Sequence, residues 1–311
     1  MARALVLGAG GFIGTHLCAA LRRTGDEVVA FGHGESPPWA QDDPGVAWVR
    51  GDFAYTALAV EAARGCDAVF HLIGSRSPAL SDSDPVADLA GTVVATVRFL
   101  EALRAAPPRR FVFVSSGGTV YGPTDRLPIP EDAPTEPIGA YGINKLTIEK
   151  YVALHHRRHG LDACVLRVAN PFGEHQVCQR QQGVVAAFID AAVHGRPISV
   201  MGDGSSVRDY VYVGDVAEAM VRAARSPALA QRVLNVGSGR GCSLNEVAAA
   251  VERVSGRPLE RIHAPARASD VPAVVLDIAR AREALDWRPE TPWEAALERT
   301  YRWALAQKGP A

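Results

Sequence analysis

The chain has 311 residues, 48% of them hydrophobic and 22% charged, with 33 Lys and Arg against 34 Asp and Glu. That length suggests about two domains and is ample for a large core, and the composition is too apolar and too evenly charged for a disordered chain. A net charge of -1 supplies no broad basic surface for nucleic acid or acidic membrane, and no window approaches ~18 uninterrupted apolar residues.

In chain order, residues 3–7 read as a short strand, 8–14 as a glycine loop, 15–24 as a helix closed by Gly25, and 27–31 as a second strand. The alternation then repeats as strand 46–49, helix 58–64, strand 68–73, a long helix 88–105, strand 110–115, a long helix 141–159 and strand 163–168. Strands apolar on both faces that alternate with helices predict a parallel sheet covered on both sides, a doubly wound α/β Rossmann fold. After about residue 170 the rhythm changes to Gly- and Pro-rich loops with short helices and a final amphipathic helix over 292–305. The expected division is a dinucleotide-binding domain, 1–169, and a smaller C-terminal substrate domain, 170–311, with a strand near 233–237 returning to the main sheet. The stretch 123–137 reads as a surface loop. Met1 to Leu7 runs straight into the first strand with no signal peptide ahead of it, and the five cysteines (18, 66, 164, 178, 242) are widely spaced with no Cys-x-x-Cys. A cytoplasmic, reduced protein without a disulfide framework or structural zinc is therefore expected.

Glycines 8, 11 and 14 follow a strand and open a helix with the spacing G-x-x-G-x-x-G. Small residues there let the backbone turn tightly and approach a pyrophosphate seated on the positive helix N-terminus. The second strand ends Phe31-Gly32-His33-Gly34, with neither the acid that usually holds an adenosine ribose nor an arginine for a 2′-phosphate. Glu35 or backbone groups are left to hold the ribose, and NAD is favoured over NADP. Asp52, in Arg50-Gly51-Asp52-Phe53, is placed either to meet the adenine ring or to close a turn.

Tyr141 and Lys145 lie four apart at a helix start and so share one face. A phenol is a poor base at neutral pH. A lysine charge, together with an oxidised nicotinamide, stabilises the phenolate and lets it accept an alcohol proton, as alcohol-to-ketone chemistry requires. His155, His156 and His159, with Arg157 and Arg158, read as a basic cluster suited to a helix C-terminus, and no residue is assigned to a metal. His71 reads as a satisfied core histidine, and Trp287 and Trp303 as packing residues.

The chain resembles the extended short-chain dehydrogenase/reductases of the nucleotide-sugar epimerase/dehydratase family over essentially its whole length. The resemblance rests on G-A-G-G-F-I-G (8–14), V-F-H-L-I-G (69–74), F-V-F-V-S-S-G-G-T-V-Y-G (111–122), Y-G-I-N-K (141–145), L-R-V-A-N-P-F-G (166–173), G-D-G-S-S-V-R-D-Y-V-Y-V-G-D (202–215), N-V-G-S-G (235–239) and L-D-W-R-P (285–289). It implies NAD as a recycled cofactor, a UDP-sugar substrate and a homodimer paired through the helices over 88–105 and 141–159. Cofactor contacts are implied at Gly8, Gly11, Phe12, Ile13, Gly14, Asp52, Phe53, Leu72, Gly74, Tyr141 and Lys145.

Dehydratases and decarboxylases of the family carry an acid just before Val-Tyr-Gly, because their reactions move a second proton. This chain has Gly117-Gly118-Thr119 there. The resemblance therefore implies 4-epimerisation of a UDP-hexose through a 4-keto sugar, with an NDP-4-keto-sugar reductase as the nearest alternative and a non-catalytic NAD(P) sensor as a remoter one. The epimerases' substrate-contacting Ser/Thr aligns with Gly117, so Ser116 takes that catalytic role, with Ser115 and Thr119 as further substrate contacts. Thr92 stands where many epimerases have Asn. Arg208 and Arg267 match the arginines that clamp the diphosphate, Asn170 matches a nearby substrate contact, and Asp209 is expected to hold Arg208 or the fold. Val274 stands where several hexose-only epimerases have a Tyr, which implies room for a 2-acetamido group.

Overall fold

The computed structural model describes residues 2–74, 78–176, 183–227, 229–265 and 271–308. Strands β1 (Arg3–Leu7), β2 (Glu27–Gly32), β3 (Val46–Arg50), β4 (Ala68–His71), β5 (Arg110–Ser116), β6 (Ala163–Val168), β7 (Asn170–Phe172), β8 (Ile198–Met201), β9 (Val207–Tyr212) and β10 (Val233–Val236) alternate with helices or short loops. Seven of them form one sheet in the order β10-β6-β5-β4-β1-β2-β3, and every neighbouring pair is parallel. The order reverses between β1 and β4. In sheets of this kind the crevice outside the strand carboxyl ends at that reversal is where ligands sit.

The inner strands of this sheet, β1, β4, β5 and β6, bury both faces, as their apolar runs demand, while the edge strand β3 is only partly buried. One face is covered by α1 (Phe12–Arg23), whose Leu17, Cys18 and Leu21 join a core cluster with Val216 and Met220 from a later helix. On the other face Ala59, Phe99, Ile148 and Val152 pack over Leu5, Val69 and Phe111. The helices before β5 are α2 (Pro38–Gln41), α3 (Ala57–Ala63), α4 (Pro78–Ser83), α5 (Pro85–Asp88) and α6 (Ala95–Leu103). The continuous helix expected over 88–105 is instead interrupted by a π-helical turn, Leu89–Val94. The Thr92 and Thr96 hydroxyls donate back to the carbonyls of Asp88 and Thr92, both at 2.6 Å, the kind of side-chain bond that distorts a helix.

Helix α7 (Ala140–His159) follows β5, and α8 (Val184–His194), α9 (Val213–Arg225), α10 (Leu244–Ser255), α11 (Ala279–Leu285) and α12 (Trp293–Gln307) complete the chain with strands β11 (Gly241–Ser243), β12 (Arg261–Ala264) and β13 (Ala273–Val274). The helices after residue 170 are longer than the short ones expected, and α8, α10 and α12 share their own core with Phe172, Tyr210 and Tyr212. A β-strand at Val233–Val236 does pair with β6 in the main sheet. The segment 123–137 is more than a surface loop: Ile129 is fully buried, donates to the Val275 carbonyl at 2.7 Å and accepts from Asp277 at 2.9 Å. Among the described residues no helix is long and apolar enough to cross a membrane.

One buried polar cluster ties α7 to the sheet. Glu149 accepts from Arg167 of β6 (2.7 Å) and from the Ser115 hydroxyl of β5 (2.5 Å), and the Arg167 guanidinium lies 4.8 Å from the centre of the Tyr121 ring. Removing one partner of such a pair strands the other charge out of water. Glu149→Gln is therefore expected to lower stability by ~3–5 kcal/mol in urea unfolding. A loss below about 1 kcal/mol would show that the pair carries little.

Candidate active site

The glycine loop is built for a close approach. Gly8 has φ +87, a left-handed conformation, and a Cβ at Gly14 would stand 2.3 Å from the Gly8 carbonyl oxygen and 2.8 Å from Ala9. Helix α1 begins three residues earlier than the sequence suggested, directly at Phe12 after Gly11, with no side-chain cap. The N–H groups of Phe12, Ile13 and Gly14 have no intrahelical acceptor and crown the dipole's positive end. This cradle fits a dinucleotide pyrophosphate.

Trp48 of β3 packs beside the end of β2, the strand end that lacks the ribose acid. Its indole ring would lie 2.8 Å from a Cβ at Gly32 and 3.1 Å from one at Gly10, and its Nε1 donates to the Gly34 carbonyl at 3.3 Å. Glu35 is drawn into an exposed pair with Arg50. Asp52 is exposed and accepts from the Ala54 N–H at 2.9 Å, closing a turn. Phe53 is buried against His71 and Phe99, so it is a core residue, and Leu72 continues the sheet by donating to the Leu7 carbonyl. Among the described residues His71 is only half satisfied: Nε2 meets the Thr96 hydroxyl at 2.8 Å while Nδ1 is buried with no partner.

Tyr141 and Lys145 emerge from the first turns of α7 beside the carboxyl end of β5. The Lys145 ammonium donates to the Val114 carbonyl at 2.9 Å and lies 5.8 Å from the centre of the Tyr141 ring. Gly74 lies against this lysine: a Cβ there would come within 2.9 Å of Lys145 Nζ, so a larger residue would push the ammonium aside. Burial, and secondarily the Asp88 carboxylate, pushes the Tyr141 phenol up to about 12, against the pull of a hydrogen bond with Ser116. Burial draws Lys145 down to about 8, with Asp88 and Glu149 holding it from falling further. Asp88, unnoticed in the sequence, accepts from the Asn144 amide at 2.8 Å and faces both groups.

Ser116, Asn170 and Gly118 cluster together. A Cβ at Gly118 would stand 3.8 Å from Asn170 Oδ1 and 3.9 Å from Ser116 Oγ. Gly117 has no room for the family's Ser/Thr: its Cβ would lie 2.5 Å from Leu276 and 3.1 Å from the Arg167 carbonyl. The Ser115 hydroxyl is committed to Glu149, and the Thr119 hydroxyl is buried with no partner among the described residues. Asn170 donates to the Asp209 carbonyl at 3.1 Å, next to Arg208. Arg208 bonds the Val207 carbonyl and has no carboxylate partner among the described residues. Asp209 serves the fold, accepting from Ser238, Gly239 and Leu276 rather than from Arg208. Val274 is 3% exposed and lies in register with Arg208 across β13 and β9. Arg267 falls outside the described residues. Trp287 is buried, donating to Asp215, while Trp303 lines a separate cavity of about 790 Å³ with His16 and Arg23 that does not reach Tyr141.

Asp88→Asn removes a negative charge that raises the Tyr141 phenol. The acidic limb of the kcat profile is expected to move to lower pH; a shift to higher pH would contradict the assignment.

Residues 4–237 match the model of the NAD dependent epimerase/dehydratase family. The chain is 36% identical over 306 residues to a UDP-glucose 4-epimerase of Mycolicibacterium smegmatis, covering 96% of this chain and 97% of that protein. A UDP-glucose 4-epimerase of Thermotoga maritima, solved with UDP-glucose, superposes with a TM-score of 0.92 at 30% identity, over 98% of this chain and 99% of the other. A UDP-N-acetylglucosamine 4-epimerase of Methanobrevibacter ruminantium, 25% identical, gives the same TM-score over 98% and 99% of the two chains.

Proposed function

The chain belongs to the NAD dependent epimerase/dehydratase family, and from that premise we propose that it inverts C4 of a UDP-hexose, interconverting UDP-glucose and UDP-galactose. It is an NAD-dependent nucleotide-sugar epimerase. The observation that carries the choice of 4-epimerisation is the Tyr141–Ser116–Lys145 group beside a 117–119 segment with no carboxylate.

NAD, when bound, supplies the reversible oxidation at C4. Tyr141 Oη takes the proton from the sugar O4 and later returns it, so only one proton moves. Ser116 holds the phenol and shares the O4 hydrogen bond. Lys145 keeps a positive charge under the ring at neutral pH, which favours the phenolate. Epimerisation needs the proton back on the same oxygen, and a dehydratase would need a second acid that the 117–119 segment lacks. Arg208 and Asn170 hold the diphosphate end, with Arg267 as a second cation. The Thr119 hydroxyl, which has no partner among the described residues, is a further contact for the sugar. Val274, in place of a larger aromatic, leaves the pocket open to UDP-N-acetyl sugars. Two copies pair through the helical stretches over 88–105 and 141–159, at whose N-terminal ends Val86 and Leu89, on α5 and the π-helical turn, and Ile143 on α7 expose apolar side chains.

Purified protein, given UDP-galactose and no added cofactor, is expected to form UDP-glucose. Tyr141→Phe should lower that rate by ~10²–10⁴-fold while binding NAD as before. Oxidation of added NAD(P)H by a 4-keto sugar, with no interconversion of UDP-hexoses, would instead identify a reductase. Turnover of UDP-galactose without any turnover of its N-acetyl counterpart would contradict the role given to Val274. Light scattering should report a dimer; a monomer would overturn the pairing.

A further inference from the structure

Helices α6 and α7 lie side by side, and near their C-terminal ends they bring together three side chains that the reaction does not use. Glu101 comes from α6, and His155 and His159 come from α7, one turn apart on the same face. One ligand-capable atom from each lies within 4.8 Å of the other two. Glu101 Oε1 is 3.3 Å from His155 Nε2, and the two imidazole centroids are 5.2 Å apart.

We propose that Glu101, His155 and His159 form a binding site for a divalent late transition-metal ion, with Zn²⁺ as its reference ligand. Two imidazoles and a carboxylate are a donor set such ions take, usually with a fourth position left to water. Mg²⁺ and Ca²⁺ prefer all-oxygen donors and are disfavoured. The carboxylate is already oriented: Arg104 holds Oε2 at 2.7 Å, which leaves Oε1 turned towards His155. His159 and Glu101 are exposed, which gives an ion its entry.

The two histidines sit fourteen or more residues along α7 from Tyr141, roughly 20 Å at the helical rise, and Glu101 meets them there from α6, so the site is separate from the cofactor cleft. Its consequence is mechanical. An ion bridging the two helices clips the C-terminal ends of α6 and α7; the other end of α7 carries Tyr141, and α6 follows the π-helical turn that Asp88 precedes. The reading of the histidines as a basic cluster suited to the helix dipole leaves out Glu101, which arrives from a helix fifty residues earlier and turns the pair into a three-ligand set.

The test uses tag-free, chelator-stripped protein titrated calorimetrically with Zn²⁺ and, separately, with Mg²⁺. One saturable Zn²⁺ site per chain is expected, with no matching Mg²⁺ binding. Losing even an outer-shell partner typically costs ~10–100-fold in metal affinity, so His159→Ala and Glu101→Gln should each weaken that site by at least ~10-fold. Both residues are exposed, and circular dichroism should show both variants folded as the parent. Absence of saturable Zn²⁺ binding, Mg²⁺ binding of equal strength, or an unchanged Zn²⁺ affinity in either variant would overturn the site.

Discussion

Glu149 and Arg167 meet 2.7 Å apart where neither side chain is more than 5% exposed. Taking two charges out of water costs several kcal/mol per ion, and such a pair persists only when its remaining donors and acceptors are filled. Here they are: Ser115 donates to Glu149, Arg167 reaches the Glu131 carbonyl, and the guanidinium lies against Tyr121, which in turn donates to Asn235. The consequence lies two turns up α7. Glu149 shares a face with Lys145 and Tyr141 at successive i,i+4 positions, so pinning Glu149 to β5 and β6 sets the azimuth at which the phenol and the ammonium face the cleft. Catalytic geometry tolerates about 1 Å of misplacement at a high cost in rate, which is a reason to fix it with a rigid contact.

The electrostatics of that face are unbalanced in a useful way. The phenol stands near 12 and the ammonium near 8, and burial is the main cause of both shifts. Asp88 adds negative charge, supporting Lys145 while opposing ionisation of Tyr141. Left alone the cleft therefore keeps Tyr141 protonated. What it lacks is one more positive charge near the ring, and the oxidised nicotinamide of the family's cofactor is cationic. In the mechanism proposed above, base strength is thereby linked to cofactor state: the phenol is to become a good proton acceptor once the oxidised cofactor is bound. A comparable point of scale applies to the substrate. A net charge of -1 describes the whole chain, whereas an anionic diphosphate would meet Arg208 and a helix N-terminus locally.

Much of this was legible in the sequence because it is carried by local patterns. The apolar strands, the glycine loop before α1 and the Tyr141/Lys145 spacing each depend on a few adjacent residues. What was not legible depends on side chains meeting across the fold. Asp88 looked like a helix residue until the π-helical turn and Asn144 placed it beside Tyr141. Trp48 sits on β3 opposite Ala30, and nothing in a linear reading shows its indole filling the space beside Gly10 and Gly32. Phe53, expected against the cofactor, has its ring packed against His71 and Phe99, a contact that no linear reading shows. Glu149 did leave a signal, its spacing from Lys145, but a partner on β6 was needed to give that spacing meaning.

The claim on which the account turns is that Tyr141 becomes a proton acceptor through the charges around it. Its phenol can be followed by NMR of protein carrying ring-labelled tyrosine, with Tyr141→Phe identifying the resonance, in the cofactor-free protein and with NAD oxidised or reduced. The account predicts a value near 12 without cofactor and a clear fall with oxidised NAD that reduced NAD does not reproduce. A phenol that titrates alike in all three states would contradict it.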